Sequence, residues 1–142
     1  MYQVNVEKIE EHLTYLEQVL FYIAPVIQDS EEAADALTVL ALERALHIAL
    51  ETVADVGNYL IDGFIMRDPG SYEDIVDILE DETVVEPEMA ESLRYVVNAR
   101  KMLITTYTDV DRHTVRTMLC THFSHLQQFP VRVRDYLKKE LL

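Results

Sequence analysis

The sequence predicts an all-α protein, an antiparallel bundle of four to six helices. Apolar residues recur in steps of three and four through most of the 142 residues, the spacing that lines one face of a helix. No stretch alternates apolar and polar side chains as a half-buried strand does. Only three glycines are present, too few for the tight turns that connect many short strands. The length suits one domain with a real core, so residues 1–142 are read as a single helical unit.

In chain order, Asn5 is placed to cap a first helix whose apolar positions are Ile9, Leu13, Leu16, Leu20, Ile23 and Ile27. These form a heptad-like seam suited to packing along a neighbour. Pro25 is expected to kink or end that helix near Ala24, because it lacks an N–H and clashes with the preceding turn. An acidic link, QDSEEAAD, leads into the longest element, expected from about Ala33 to Phe64, with Ser30 as N-cap ahead of Glu31 and Glu32. Its apolar residues are Val39, Leu42, Leu46, Ala49, Val53, Val56 and Leu60, and a second set, Leu40, Leu50, Ala54 and Ile61, widens the arc. That arc exceeds what one four-helix core needs, which predicts a homodimer. The polar residues, Arg44, His47, Glu51, Asp55, Asn58 and Asp62, fall on one strip. The strip faces either solvent or a polar groove, an active-site wall or a subunit interface.

Asp68-Pro69-Gly70 reads as a turn, and Ser71 with Asp74 as a capping box for a short helix from Tyr72 to about Glu80, with Ile75, Ile78 and Leu79 inward. Arg67 and Tyr72 flank the turn and are read as tying it to the bundle. Pro87 fits the first turn of a fourth helix, expected to run to Tyr107 with Met89, Leu93, Val96, Val97, Leu103, Ile104 and Tyr107 inward. Arg100 falls within that apolar stripe. A guanidinium there needs a carboxylate, and Glu51, Asp55 and Asp62 of the strip are the candidates. Asp109 or Asp111 is placed to cap a fifth helix carrying Val115, Met118, Leu119, His122 and Leu126. Phe129-Pro130 is expected to break it before a short basic terminal helix.

The net charge of −14 is unevenly distributed. Residues 1–91 carry three basic and 22 acidic side chains, a net of −19; residues 92–142 carry nine and four, a net of +5. An anionic partner would therefore meet the C-terminal third, unless the two segments neutralise each other within the fold or across a dimer. One cysteine, Cys120, read as a core residue, excludes an internal disulfide and agrees with a reducing compartment. No apolar run approaches the roughly 20 residues of a membrane span, and no leader peptide is apparent. A cytoplasmic protein is expected.

His122 and His125 share a helix face, but no Glu-x-x-His pair occurs, which a di-metal carboxylate site would use on two helices. Glycine-rich phosphate loops, serine elbows and Cys-x-x-Cys pairs are missing too. Neither metal nor cofactor is expected.

The segment ARKMLITTY, residues 99–107, taken with RALHIALETVADVGNYLID and PGSYEDIVDIL, resembles the HepT-like branch of the HEPN superfamily of small helical proteins. The similarity covers nearly the whole chain, and GFIMRDPGSYEDIVDIL resembles a bacterial branch of that family. The resemblance implies a HEPN-type bundle that is a homodimer. In the family, the motif Arg-Asn-x-x-Val-His-x-Tyr supplies Arg and His from both subunits to a metal-independent ribonuclease site. Many members are toxins paired with a minimal nucleotidyltransferase that adenylylates the motif's Tyr. Carried onto this chain, Arg100 matches the Arg and Tyr107 the Tyr, whereas Lys101 stands in place of the Asn and Thr105 in place of the His.

That last departure bears on chemistry. Cleaving RNA without a metal moves a proton off the ribose 2′-hydroxyl and another onto the leaving oxygen. Imidazole titrates near neutrality and does both; a threonine hydroxyl does neither. The expectation is RNA cleavage or RNA binding at a dimer cleft around Arg100 as phosphate anchor, with Arg44, His47, Glu51 and Asp55 in the cleft. Catalysis is weakened unless His47 or His113 substitutes. The alternative is a non-enzymatic dimeric interaction protein.

Overall fold

Helix α2, Ala36–Gly63, touches every other helix of the bundle in the computed structural model, which describes residues 2–29 and 35–141. Around it lie α1 (Val6–Ile27), α3 (Tyr72–Asp81), α4 (Pro87–Asn98) and α5 (Arg112–Leu141). No strand occurs among the described residues. The architecture is an all-α helical bundle, as expected.

The cap of α2 is Asp35, whose carboxylate accepts from the Thr38 amide at 2.7 Å. Ser30, Glu31 and Glu32 lie outside the described residues. Leu42, Leu46, Ala49, Leu50, Val53, Val56 and Leu60 enter the main core shared with α1, α4 and α5. Ala54 and Ile61 turn the other way, onto Ile75 and Ile78 of α3. Most of the apolar arc is thus filled within one chain; Val39 is only half-buried and Leu40 stays 59% exposed. Gly57 makes this second layer possible, because a Cβ there would sit 2.4 Å from the Ile75 Cγ2. Helix α2 ends at Gly63, with the expected last residue, Phe64, as its C-cap. Ile65 then takes a left-handed φ of 56° while the Met66 amide reaches back to the Ile61 carbonyl at 2.9 Å.

Asn5 caps α1 through the Lys8 amide, and all six predicted seam positions are buried. Pro25 does not end the helix: it lies within the last turn of α1, two residues before its end at Ile27. Phe21, whose carbonyl loses its partner, is 78% exposed, so solvent can satisfy that group. The C-terminus of α1 is instead held by Arg116, a buried side chain donating to the Val26 and Asp29 carbonyls at 3.0 and 3.1 Å. Pro130 likewise fails to break α5. Phe129 and Val133 on either side are fully buried, and their packing keeps the chain helical through the missing bond. The expected terminal helix is therefore the last part of α5. Cys120 is exposed, its thiol directed at the Ile27 carbonyl, and not a core residue.

The two charged segments do meet inside the fold. Arg134 of α5 binds Glu10 and Glu17 of α1, and Arg94 binds Asp77 and Glu80.

Candidate functional site

Helix α4 stops sooner than predicted, and this sets the geometry of the motif. After Asn98 the chain widens into a π-helical turn over Lys101–Thr105, followed by a 3₁₀ turn over Tyr107–Asp109. The Thr106 amide closes the wide turn on the Lys101 carbonyl at 3.1 Å, a five-residue step. In such a turn positions five apart, such as Arg100 and Thr105, lie closer to one face than they would in an α-helix. The extra residue per turn also explains why Leu103 and Ile104 are only half-buried and why Tyr107 is 69% exposed, against the expectation that all three face inward.

Arg100 is exposed, not enclosed in the apolar stripe. Its Nε lies 3.5 Å from Oε1 of Glu51, one of the three strip carboxylates named as candidate partners. Its guanidinium carbon lies 4.8 Å from the centre of the Tyr72 ring, within range of a cation–π contact. The Tyr72 hydroxyl donates to both Glu51 oxygens at 3.2 and 3.3 Å. Burial, reinforced by the Glu51 charge and opposed by Arg100, raises the Tyr72 pKa, so the phenol remains a donor. Tyr72 does tie the turn to the bundle, and it does so at the candidate site. Arg67 ties the same turn locally, through two bonds of 2.8 Å to Asp74, whose pKa it pulls down to about 2.

The strip continues on the far side of Glu51. His47 Nε2 lies 3.9 Å from Glu51, and Arg44 donates to His47 Nδ1 at 3.1 Å. With Nδ1 accepting, the ring proton sits on Nε2 and points towards Glu51. Arg44, His47, Glu51, Tyr72 and Arg100 thus form one polar cluster. Asp55 lies apart from it: its neighbour is His12 of α1, at 3.7 Å, and burial followed by the Glu51 charge raises its pKa. Asn58 and Asp62 are exposed. The π turn and the place of Tyr72 beneath Arg100 were not foreseen. The signal for the first was the five-residue step from Arg100 to Thr105, too long for two positions on one α-helical face.

His113 lies beyond the 3₁₀ turn, where its amide donates to Asp111, the cap of α5. His122 is hydrogen-bonded to Ser92 and stacked on Tyr95. Burial, with a smaller contribution from His125, lowers its pKa. Among the described residues no three His, Cys, Asp or Glu side chains gather into a metal-binding group.

A HEPN-type bundle with an arginine displayed on a widened turn against a glutamate of the long helix defines the class of protein. The family is shown directly: the chain belongs to the HepT-like family, whose model, described as "Ribonuclease HepT-like", matches residues 5–133. The chain is 40% identical over 141 residues to a Bacillus subtilis (strain 168) protein named "Putative RNase YutE", covering 99% of this chain and 95% of that one. A solved structure of the Bacillus subtilis protein YutE, described as cytosolic and of unknown function, superposes with a TM-score of 0.90 over 99% of this chain and 96% of that chain. A toxin–antitoxin structure with AMP-PNP shares the fold, with a TM-score of 0.74 at 15% identity over 88% of this chain and 96% of the other. No helix among the described residues is long and apolar enough to cross a membrane.

Proposed function

We propose that this chain is a HEPN protein of ribonuclease-toxin ancestry, a single cytoplasmic domain that acts as a homodimer. RNA binds at the dimer cleft, where Arg100 is the phosphate anchor, and cleavage is weakened because Thr105 stands where the family has its histidine. The observation that carries the reading is the exposure of Arg100 at the start of the π turn, against the Tyr72 ring and facing Glu51. An exposed guanidinium offers the fork of N–H donors that a phosphate accepts. The Thr105 hydroxyl, at the family's histidine position, has a pKa far above the working range and cannot shuttle protons. Tyr107, exposed at the family's spacing of seven from Arg100, is the residue a minimal nucleotidyltransferase partner would adenylylate.

The pairing of the C-terminal arginines with acidic residues of α1 and α3 favours a second reading, a non-enzymatic dimeric interaction protein. Arg134 and Arg94 are engaged internally, and RNA affinity depends on cations free to displace counterions. The test is binding and cleavage of labelled single-stranded RNA in EDTA, by the parent and by Arg100→Ala. The first reading predicts weak, salt-sensitive binding that Arg100→Ala removes, with little turnover; the second predicts identical, negligible binding by both.

A further inference from the structure

Glu51 is the one acceptor on which the cluster's donors converge. The Tyr72 hydroxyl, Arg100 Nε and His47 Nε2 reach its carboxylate at 3.2, 3.5 and 3.9 Å, and Arg44 stands behind His47. A hydroxyl, a guanidinium and an imidazole N–H around one point make the donor set that a phosphate oxygen takes up. Two of these distances are longer than a formed hydrogen bond, so the carboxylate holds its neighbours loosely. Its side chain is 30% exposed and that of Arg100 45%, so solvent and a ligand can reach both.

We infer that Glu51 is an internal stand-in for phosphate: its carboxylate occupies an anion site built by Tyr72, Arg100 and His47, and an incoming phosphoryl group must displace it. This rests on the reading of Arg100 as a phosphate anchor and adds what controls it. Tyr72 is a positioning residue, supporting the guanidinium from beneath and holding the carboxylate through its hydroxyl. The strip glutamate lowers affinity in the resting protein in two ways. It occupies the donors, and it repels an anion arriving within a few ångströms. An exposed ion pair of this kind is weak, so the restraint is modest and reversible, a matter of about three- to ten-fold in affinity.

Glu51→Gln keeps the shape of the side chain and removes its charge, and Glu51→Ala serves if the amide perturbs folding. Inorganic pyrophosphate is the first probe, with thermal stabilisation as the readout. The glutamine variant should bind it about three- to ten-fold more tightly than the parent, and Arg100→Ala added to it should abolish the gain. Labelled single-stranded RNA is the second probe. Its affinity for Glu51→Gln should rise likewise, and the slope of log affinity against log salt should steepen by about 0.7, one further phosphate contact. Unchanged or weaker pyrophosphate binding by both Glu51 variants would overturn the inference, since Glu51 would then only be holding Arg100 in place. If pyrophosphate binding rises as expected while RNA binds neither form, the anion site stands and the RNA reading falls.

Discussion

Replacing Gly57 by alanine tests how tightly the site depends on the contact between α2 and α3. Two effects oppose each other. Alanine is the better helix former by about 1 kcal/mol, and Gly57 lies in the interior of a 28-residue helix. Against this, the new methyl would fall 2.4 Å from Ile75 Cγ2 and 3.6 Å from Leu79 Cδ1. Carbon atoms settle at roughly 3.5–4.0 Å, so the first contact is more than an ångström too close. Ile75 is buried and β-branched, with a stiff χ1 in a helix, and cannot swing aside. Helix α3 must move, and overpacking of this kind costs about 1–3 kcal/mol, here towards the upper end. The expected net loss is about 1–2 kcal/mol, a fall in Tm of roughly 3–6 °C for a chain of this size. The assay is thermal unfolding followed by circular dichroism, repeated in an Ile75→Ala background. With the opposing methyl gone, the penalty of Gly57→Ala should vanish or reverse. Because Tyr72 begins α3, Gly57→Ala should also loosen its hold on Glu51 and Arg100. A Gly57→Ala variant at least as stable as the parent, with Ile75 intact, would refute the reasoning.

Arg116→Met should cost about 1–3 kcal/mol in chemical denaturation, because it leaves the Val26 and Asp29 carbonyls at the end of α1 without their donor; an unchanged midpoint would show that water replaces the guanidinium. His122, whose pKa in the fold is below its ordinary 6.5, binds a proton more readily when unfolded, so its contribution is complete above that value and is lost as pH falls below it. Thermal stability measured from pH 7.5 to 5.5 should therefore decline less in His122→Gln than in the parent, and parallel curves would contradict this. Light scattering after size exclusion at micromolar concentration should give about twice the mass of 16.5 kDa; a clean monomer would remove the composite cleft.

Much of the fold was legible because its signals are local. Asn5, Ser71 and Pro87 act where their side chains predict, and the apolar steps of α1 and α2 mark buried faces. The misread positions are those where packing outweighs local chemistry. Pro25 and Pro130 each remove a helical bond, yet Phe129, Val133 and the Arg116 cap keep both helices running. Asp35 caps α2, and the choice between several acidic and hydroxyl residues in one link is not a matter of pattern. Part of the wide apolar arc of α2 is taken up by α3, because Gly57 lets a short helix approach that periodicity alone cannot place. At the site, a carboxylate partner for Arg100 followed from the cost of an unpaired guanidinium, with Glu51 one of three candidates. The exposure of Arg100 did not follow, because a regular α-helix was assumed through a segment that unwinds into a π turn.

The most direct test of the account is to restore the family's pattern. Lys101→Asn with Thr105→His places an imidazole at the family's histidine position, on the π turn that follows Arg100. Cleavage of labelled RNA in EDTA is then compared among the parent, the double variant and the double variant carrying Arg100→Ala. General acid–base help is worth about 10²–10⁴ in rate, so the account predicts little turnover by the parent, a gain of that order in the double variant, and its loss with Arg100→Ala. Robust cleavage by the parent that Arg100→Ala removes would contradict it, because another group, His47 foremost, would then be carrying the proton.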